Sequence, residues 1–139
     1  MAYDSNNIFA KILRGELPCT SVFEDDTTLA FLDLFPQSKG HTLVIPKTPA
    51  VGFFDLPAGA LADLIVKTQT VATAVRKALE PEGMVVMQFN GAVAGQTVFH
   101  IHFHIIPRWE LMPLKGHGAA PKADPAELAA LAEKIKAAF

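Results

Sequence analysis

Val98-Phe99-His100-Ile101-His102-Phe103-His104-Ile105-Ile106 sets three histidines and three large apolar residues in strict alternation. Side chains of a β-strand point alternately to opposite faces. The spacing therefore predicts a strand over 98–106 with His100, His102 and His104 on one face and Ile101, Phe103 and Ile105 on the other. The apolar face is expected to pack under helices, the histidine face to lie at or near the surface, and Pro107 to close the strand.

Working outward, Asn90-Gly91-Ala92-Val93-Ala94-Gly95-Gln96-Thr97 joins this segment to an apolar run over 84–89, a second strand. Its small residues let backbone N–H groups approach an anion, and Gln96 and Thr97 add side-chain donors, so the loop is a candidate phosphate cradle. Further upstream, 42–45 is a strand following the 36–40 loop, and 21–24 with 29–32 form a hairpin about Asp25 and Asp26. Three segments have helical periodicity. The first, 8–14, is capped by Asn6 or Asn7 and stopped by Gly15. The second, 57–79, carries Leu61, Leu64, Ile65, Thr68, Val71, Ala72 and Val75 as its apolar stripe. The third, 125–138, has Asp124 as cap and Pro125 at its first position. The span 115–122 is loop, with His117 a solvated residue between two glycines. This mixed order predicts an antiparallel sheet with helices packed against it, the α+β class.

The chain has 139 residues, 50% hydrophobic and 19% charged, which suits a single domain over 1–139 with a real core. A net charge of -2 offers no basic footprint, so no nucleic-acid partner is expected and any phosphate partner is small. The single cysteine, Cys19, cannot form an intramolecular disulfide, and a reducing, cytoplasmic setting fits. Residues 1–7 are mostly polar, with no signal-like apolar core, and no apolar run approaches the roughly 18 residues of a membrane span, so neither export nor a membrane partner is expected.

The histidines allow three readings. Taken one at a time, strand histidines are structural. As metal ligands they are poorly spaced: at a rise of about 3.3 Å per residue, His100 and His104 have Cα atoms roughly 13 Å apart, and no Asp, Glu or Cys adjoins them. As acid, base and nucleophile they are well spaced, since same-face neighbours lie roughly 6.6 Å apart and flank one bound group. A neutral imidazole attacks phosphorus well, and a neighbour can donate to the phosphoryl oxygens or the leaving group.

The stretch Ala94-Gly95-Gln96-Thr97-Val98-Phe99-His100-Ile101-His102-Phe103-His104-Ile105-Ile106-Pro107-Arg108 resembles the signature of the histidine-triad (HIT) hydrolases, His-φ-His-φ-His-φ-φ with φ apolar. Ile8-Phe9-Ala10-Lys11-Ile12, Phe31-Leu32-Asp33-Leu34-Phe35-Pro36-Gln37 and His41-Thr42-Leu43-Val44-Ile45-Pro46-Lys47 extend the resemblance over nearly the whole chain to Arg108. It implies a HIT-like fold: a five-stranded antiparallel sheet with two main helices, joined across a homodimer into a continuous sheet. It also implies a hydrolase in which His102 attacks the α-phosphate of a purine nucleotide, giving a nucleotidyl-histidine that water resolves, with His100, His104 and His41 as partners. Asp33 would bind ribose, and Ile8, Phe9, Ile12 and Leu34 would wall the base pocket, while Gly95, Gln96 and Thr97 would hold phosphate. The substrates implied are nucleoside phosphoramidates, adenylated lysine and dinucleoside polyphosphates, with no cofactor. Without the resemblance, the apolar four are ordinary core residues, Asp33 caps a turn at Pro36, and His41 starts a strand.

Two positions depart from the family pattern. Asn7 and Ala10 stand where some members carry a zinc-binding Cys-x-x-Cys, so no structural zinc is expected. Phe89 stands where relatives have an amide seven residues before the glutamine, making Asn90, one place later, the candidate for that contact. Two rival functions stay open: a nucleotide-binding interaction protein with residual catalysis, and a small-molecule nucleotidyltransferase. The complete triad favours chemistry, and the absence of extra metal-binding cysteines and histidines disfavours the transferase.

Overall fold

The computed structural model describes residues 1–117 and 120–139; Gly118 and Ala119, within the 115–122 loop expected from sequence, lie outside the described residues. Asn7 caps α1 (Ile8–Leu13) through its side-chain oxygen, which accepts the Ala10 N–H at 2.9 Å, and the helix ends at Arg14 ahead of Gly15 at φ 77°. The strands β1 (Ser21–Glu24) and β2 (Thr28–Leu32) form the expected hairpin. Asp25 closes its turn by accepting the N–H groups of Thr27 and Thr28. After them come β3 (Thr42–Pro46), α2 (Ala58–Leu79), β4 (Gly83–Met87), β5 (Phe103–Arg108) and α3 (Pro125–Lys136), the last capped by Asp124 with Pro125 in its first turn. The sheet is antiparallel throughout, in the order β1-β2-β3-β5-β4, and establishes the five-stranded α+β architecture.

Period-two alternation divides the sheet between two cores. Ala30, Leu32, Val44, Phe103 and Ile105 face α2 and α3, joined there by Ile101, Leu64, Val71, Val75, Leu128 and Ile135. Leu29, Phe31, Leu43 and Ile45 point the other way and pack with Phe9, Ile12 and Leu13 of α1. Each large apolar side chain so buried contributes roughly 1.5–3 kcal/mol. No helix among the described residues is long and apolar enough to cross a membrane.

The structure corrects several boundaries. The strand expected over 98–106 is β5 from Phe103 to Arg108, because Ile101 donates its N–H to Ala50 in the loop after β3 and residues 98–102 have no ladder partner. Pro107 lies inside β5. The pairing with β3 ends at Ile105, so Pro107 has a strand neighbour on one side only, the edge-like position that suits proline. The run expected over 84–89 pairs from Gly83 to Met87, freeing Gln88 and Phe89. On α2 the buried stripe is Leu64, Thr68, Val71, Ala74 and Val75, while Ile65, about 100° around the helix from Leu64, is 45% exposed. The histidine face, expected at or near the surface, is buried beneath α1, with His100 and His104 at most 2% exposed and His102 at 6%.

Candidate active site

Three parts of the chain bring the histidines together. His104 is carried by β5, and His100 and His102 precede it. His41 follows a tight turn in which its N–H donates to Ser38. Gly40 makes that turn possible: its φ is 85°, and a Cβ there would lie 2.3 Å from Leu79 Cδ1. The His102 and His104 rings lie 4.9 Å apart, centroid to centroid, and those of His41 and His104 5.2 Å.

Hydrogen bonding fixes where the protons sit. The Gln37 backbone N–H donates to His41 Nδ1 at 3.0 Å, so a neutral His41 carries its proton on Nε2 and donates to His104 Nδ1 at 2.9 Å. His104 is thereby protonated on Nε2, a buried N–H without a partner among the described residues. His102 Nδ1 lies 2.8 Å from the His100 carbonyl, which can only accept, leaving His102 Nε2 as an unprotonated lone pair. His100 donates from Nε2 to the Pro46 carbonyl at 2.8 Å, and its Nδ1 accepts the Tyr3 hydroxyl at 2.6 Å. Tyr3 carries no signal in the sequence, being one aromatic in a polar segment.

Burial keeps these rings neutral. It pulls His41 and His102 down to about 4 and His104 down to about 2, with neighbouring histidine charges adding to the effect. It lowers His100 as well, against its bond to the Pro46 carbonyl. Asp33, half-buried, is raised by burial, while the Phe35 N–H on its Oδ1 opposes that shift. Its Oδ2 lies 3.5 Å from His41 Nε2, a polar contact rather than an ion pair while His41 is neutral. The arrangement presents a neutral nucleophilic nitrogen beside an unpartnered N–H donor.

Residues 14–111 match the family model for the HIT domain. The chain belongs to the HIT family. It is 39% identical over 138 residues to the adenosine 5'-monophosphoramidase of Schizosaccharomyces pombe, spanning 92% of this chain and 94% of that one. It is 42% identical over 103 residues to the adenylylsulfatase of Arabidopsis thaliana, spanning 74% of this chain and 52% of that protein. Among solved structures, a HIT-like protein of Bartonella henselae superposes with a TM-score of 0.93 at 45% identity, covering 100% of both chains.

The residues expected to wall a base pocket are unevenly placed. Phe9 is buried, its ring edge-on to His102 at 4.9 Å; Ile12 is half-buried, and Ile8 and Leu34 are exposed. The loop before the histidines departs from the expected cradle. Ala92–Ala94 forms a 3-10 turn between Gly91 and Gly95, both at positive φ, and the N–H groups of Ala94, Gly95 and Gln96 bond back to Gly91 and Ala92. The Gln96 side chain is 3% exposed. It accepts from the Gly91 N–H and donates to the Val51 and Val98 carbonyls, so it staples the loop and has no amide proton left for phosphate. Asn90, the candidate for the contact absent at Phe89, accepts the Phe53 N–H and a Gln88 amide proton on its Oδ1 and donates one of its two Nδ2 protons to Gln88 Oε1. Thr97 is exposed, and no partner is seen for its N–H or for that of Val98 among the described residues.

His117, expected to be a solvated loop residue, is exposed, and it also packs against the histidine cluster. Its ring packs on Phe89 at 5.1 Å and edge-on to His104 at 5.5 Å, and its nitrogens meet Gln37 and Gly95. Only its position between glycines was visible in sequence; the fold brings it in. One set of three side chains among the described residues, Asp33, His41 and His104, places potential metal-ligand atoms within 4.8 Å of one another. The bond from His41 to His104 uses two of those atoms.

Proposed function

We propose that this HIT domain is a hydrolase that attacks the α-phosphate of purine nucleoside phosphoramidates or dinucleoside polyphosphates through a covalent intermediate on His102. The observation that carries this reading is the proton arrangement: a free lone pair on His102 Nε2 and an unpartnered N–H on His104 Nε2, with ring centroids 4.9 Å apart. The His102 lone pair forms the N–P bond. The bond from phosphorus to the leaving nitrogen or oxygen breaks, and the leaving group departs with the electron pair and takes a proton from solvent water. The N–H of His104 meets the charge that builds during this step. Water then attacks the same phosphorus and gives up a proton to solvent, the N–P bond breaks, and His102 recovers its lone pair as the nucleoside monophosphate departs. The phosphoramidase and adenylylsulfatase relatives favour this class of reaction. Phe9 against His102 and Asp33 beside His41 suit a nucleoside held next to the nucleophile, with Ile8, Ile12 and Leu34 completing the base pocket. A reducing, cytoplasmic setting suits the free, exposed Cys19.

A homodimer joined through β4 completes this reading. The strand lies at the sheet edge with Val85 and Val86 36% and 46% exposed, and α2 exposes Ile65 and Val66 at 45% and 55%.

Intact-mass measurement after rapid quenching with adenosine 5'-phosphoramidate tests the mechanism. Wild type is expected to gain one adenylyl group, and His102→Ala to gain none while keeping less than about a hundredth of the rate. Nucleotide binding without adduct or turnover would replace the hydrolase with a binding protein.

A further inference from the structure

The loop before the histidines offers less to a phosphate than its sequence promises. Both amide side chains, Gln96 and Asn90, are held by protein groups, three of the loop's N–H groups turn inward, and Phe89 presents a ring. Yet His104, 2% exposed, has an Nε2–H without a partner among the described residues, on the ring next to that of His102. The N–H groups of Thr97 and Val98 remain, and a further donor stands on a distant part of the chain.

The segment after β5 runs back across the site. Lys115 donates its N–H to the Gln37 carbonyl at 3.0 Å, and Ala123 donates to Leu34 at 2.9 Å. These bonds hold Lys115 and Ala123 against the loop between β2 and β3, with His117 two residues beyond Lys115. Gly95 can only accept through its carbonyl, so His117 donates from Nε2 at 2.9 Å, and its Nδ1 takes the Gln37 amide proton at 3.1 Å. Phe9, His102, His104 and His117 follow one another with ring centroids 4.9, 4.9 and 5.5 Å apart. Phe9 of α1 thus packs against His102, and His117 packs against His104, the neighbour of His102. The fold holds the His117 Nε2–H on a mainchain carbonyl, an acceptor whose place a phosphoryl oxygen can take.

We infer that His117 is a substrate-contacting residue that exchanges the Gly95 carbonyl for a phosphoryl oxygen and supplies a donor that Phe89 and Gln96 do not. The inference rests on the nucleotide reading of the site but not on the covalent step. Its class of ligand is a nucleoside 5'-phosphate, recognised at the phosphate and not at the nucleoside.

Calorimetric titration of wild type, His117→Ala and His117→Gln with adenosine and with AMP separates the roles. Wild type is expected to bind AMP more tightly than adenosine. His117→Ala is expected to lose about tenfold in AMP affinity with adenosine affinity unchanged within about twofold, an amount typical of a donor to a charged acceptor. His117→Gln, which retains an N–H donor, is expected to recover part of the loss. Equal losses for both ligands would mean that His117 only holds the segment after β5, and no loss for either would leave it outside the substrate's reach; each overturns the inference. A wild type that binds neither compound would overturn the nucleotide reading itself and this inference with it.

Discussion

At His102, the lone pair on Nε2 follows from where the Nδ1 proton is held, on the His100 carbonyl. Position and protonation are set together, because burial brings the ring down to about 4. An ordinary histidine is half-protonated near pH 6.5 and loses its nucleophilicity below that. Here the neutral form is expected to persist, so kcat/KM should keep its plateau through pH 6 and fall only toward pH 4. The same shifts act on stability with a definite sign. Between about pH 6.5 and 4 the unfolded chain binds protons that folded His41, His102 and His104 exclude, so stability is full above the unfolded value and is lost as pH falls through this window. Each histidine can contribute up to about 1.4 kcal/mol per pH unit. Melting midpoints and kcat/KM measured from pH 7.5 to 4.5 should show the midpoint falling while the folded fraction stays active. A rate limb at pH 6.5 with a constant midpoint would refute this account.

Helix α1 shows how one short element couples folding to the site. Its six residues are too few to be stable alone, so its place depends on the Asn7 cap and on Phe9 and Ile12 packing on the sheet. Phe9 reaches from there to the edge of the His102 ring. Replacing Asn7 with alanine is expected to cost about 1 kcal/mol in urea unfolding. It should also raise KM more than it lowers kcat, because a loosened α1 disturbs the nucleoside side before the histidines. A kcat loss at constant KM would place α1 outside the binding pocket. The elements themselves were largely legible in sequence, since caps, alternation and helical spacing are written in neighbouring residues. The strand around the histidines was the exception. Its alternation assigns Ile101, Phe103 and Ile105 to the core correctly, but alternation says nothing about which backbone groups find a ladder partner, and Ile101 finds Ala50 instead.

For the whole molecule, the exposed edge at β4 is the feature that most needs a partner. Sedimentation equilibrium is expected to give twice the 15.0 kDa chain mass, and Val86→Lys to return it to the monomer with a lower melting midpoint. A wild-type monomer at micromolar concentration would refute the joined sheet. The sequence by itself determined the α+β class, the hairpin, the caps and which histidines share a face, because each rests on local periodicity or on side chains within a turn of one another. Tertiary structure alone decided that this face is buried and that the amides of Asn90 and Gln96 are already bonded. It also decided that His41 orients the proton of His104 across 63 positions, and that His117 meets Gln37 across 80. Hydrogen-bond capacity is finite and burial is collective. Which donors remain for a substrate is therefore fixed only when segments distant in sequence have taken their share.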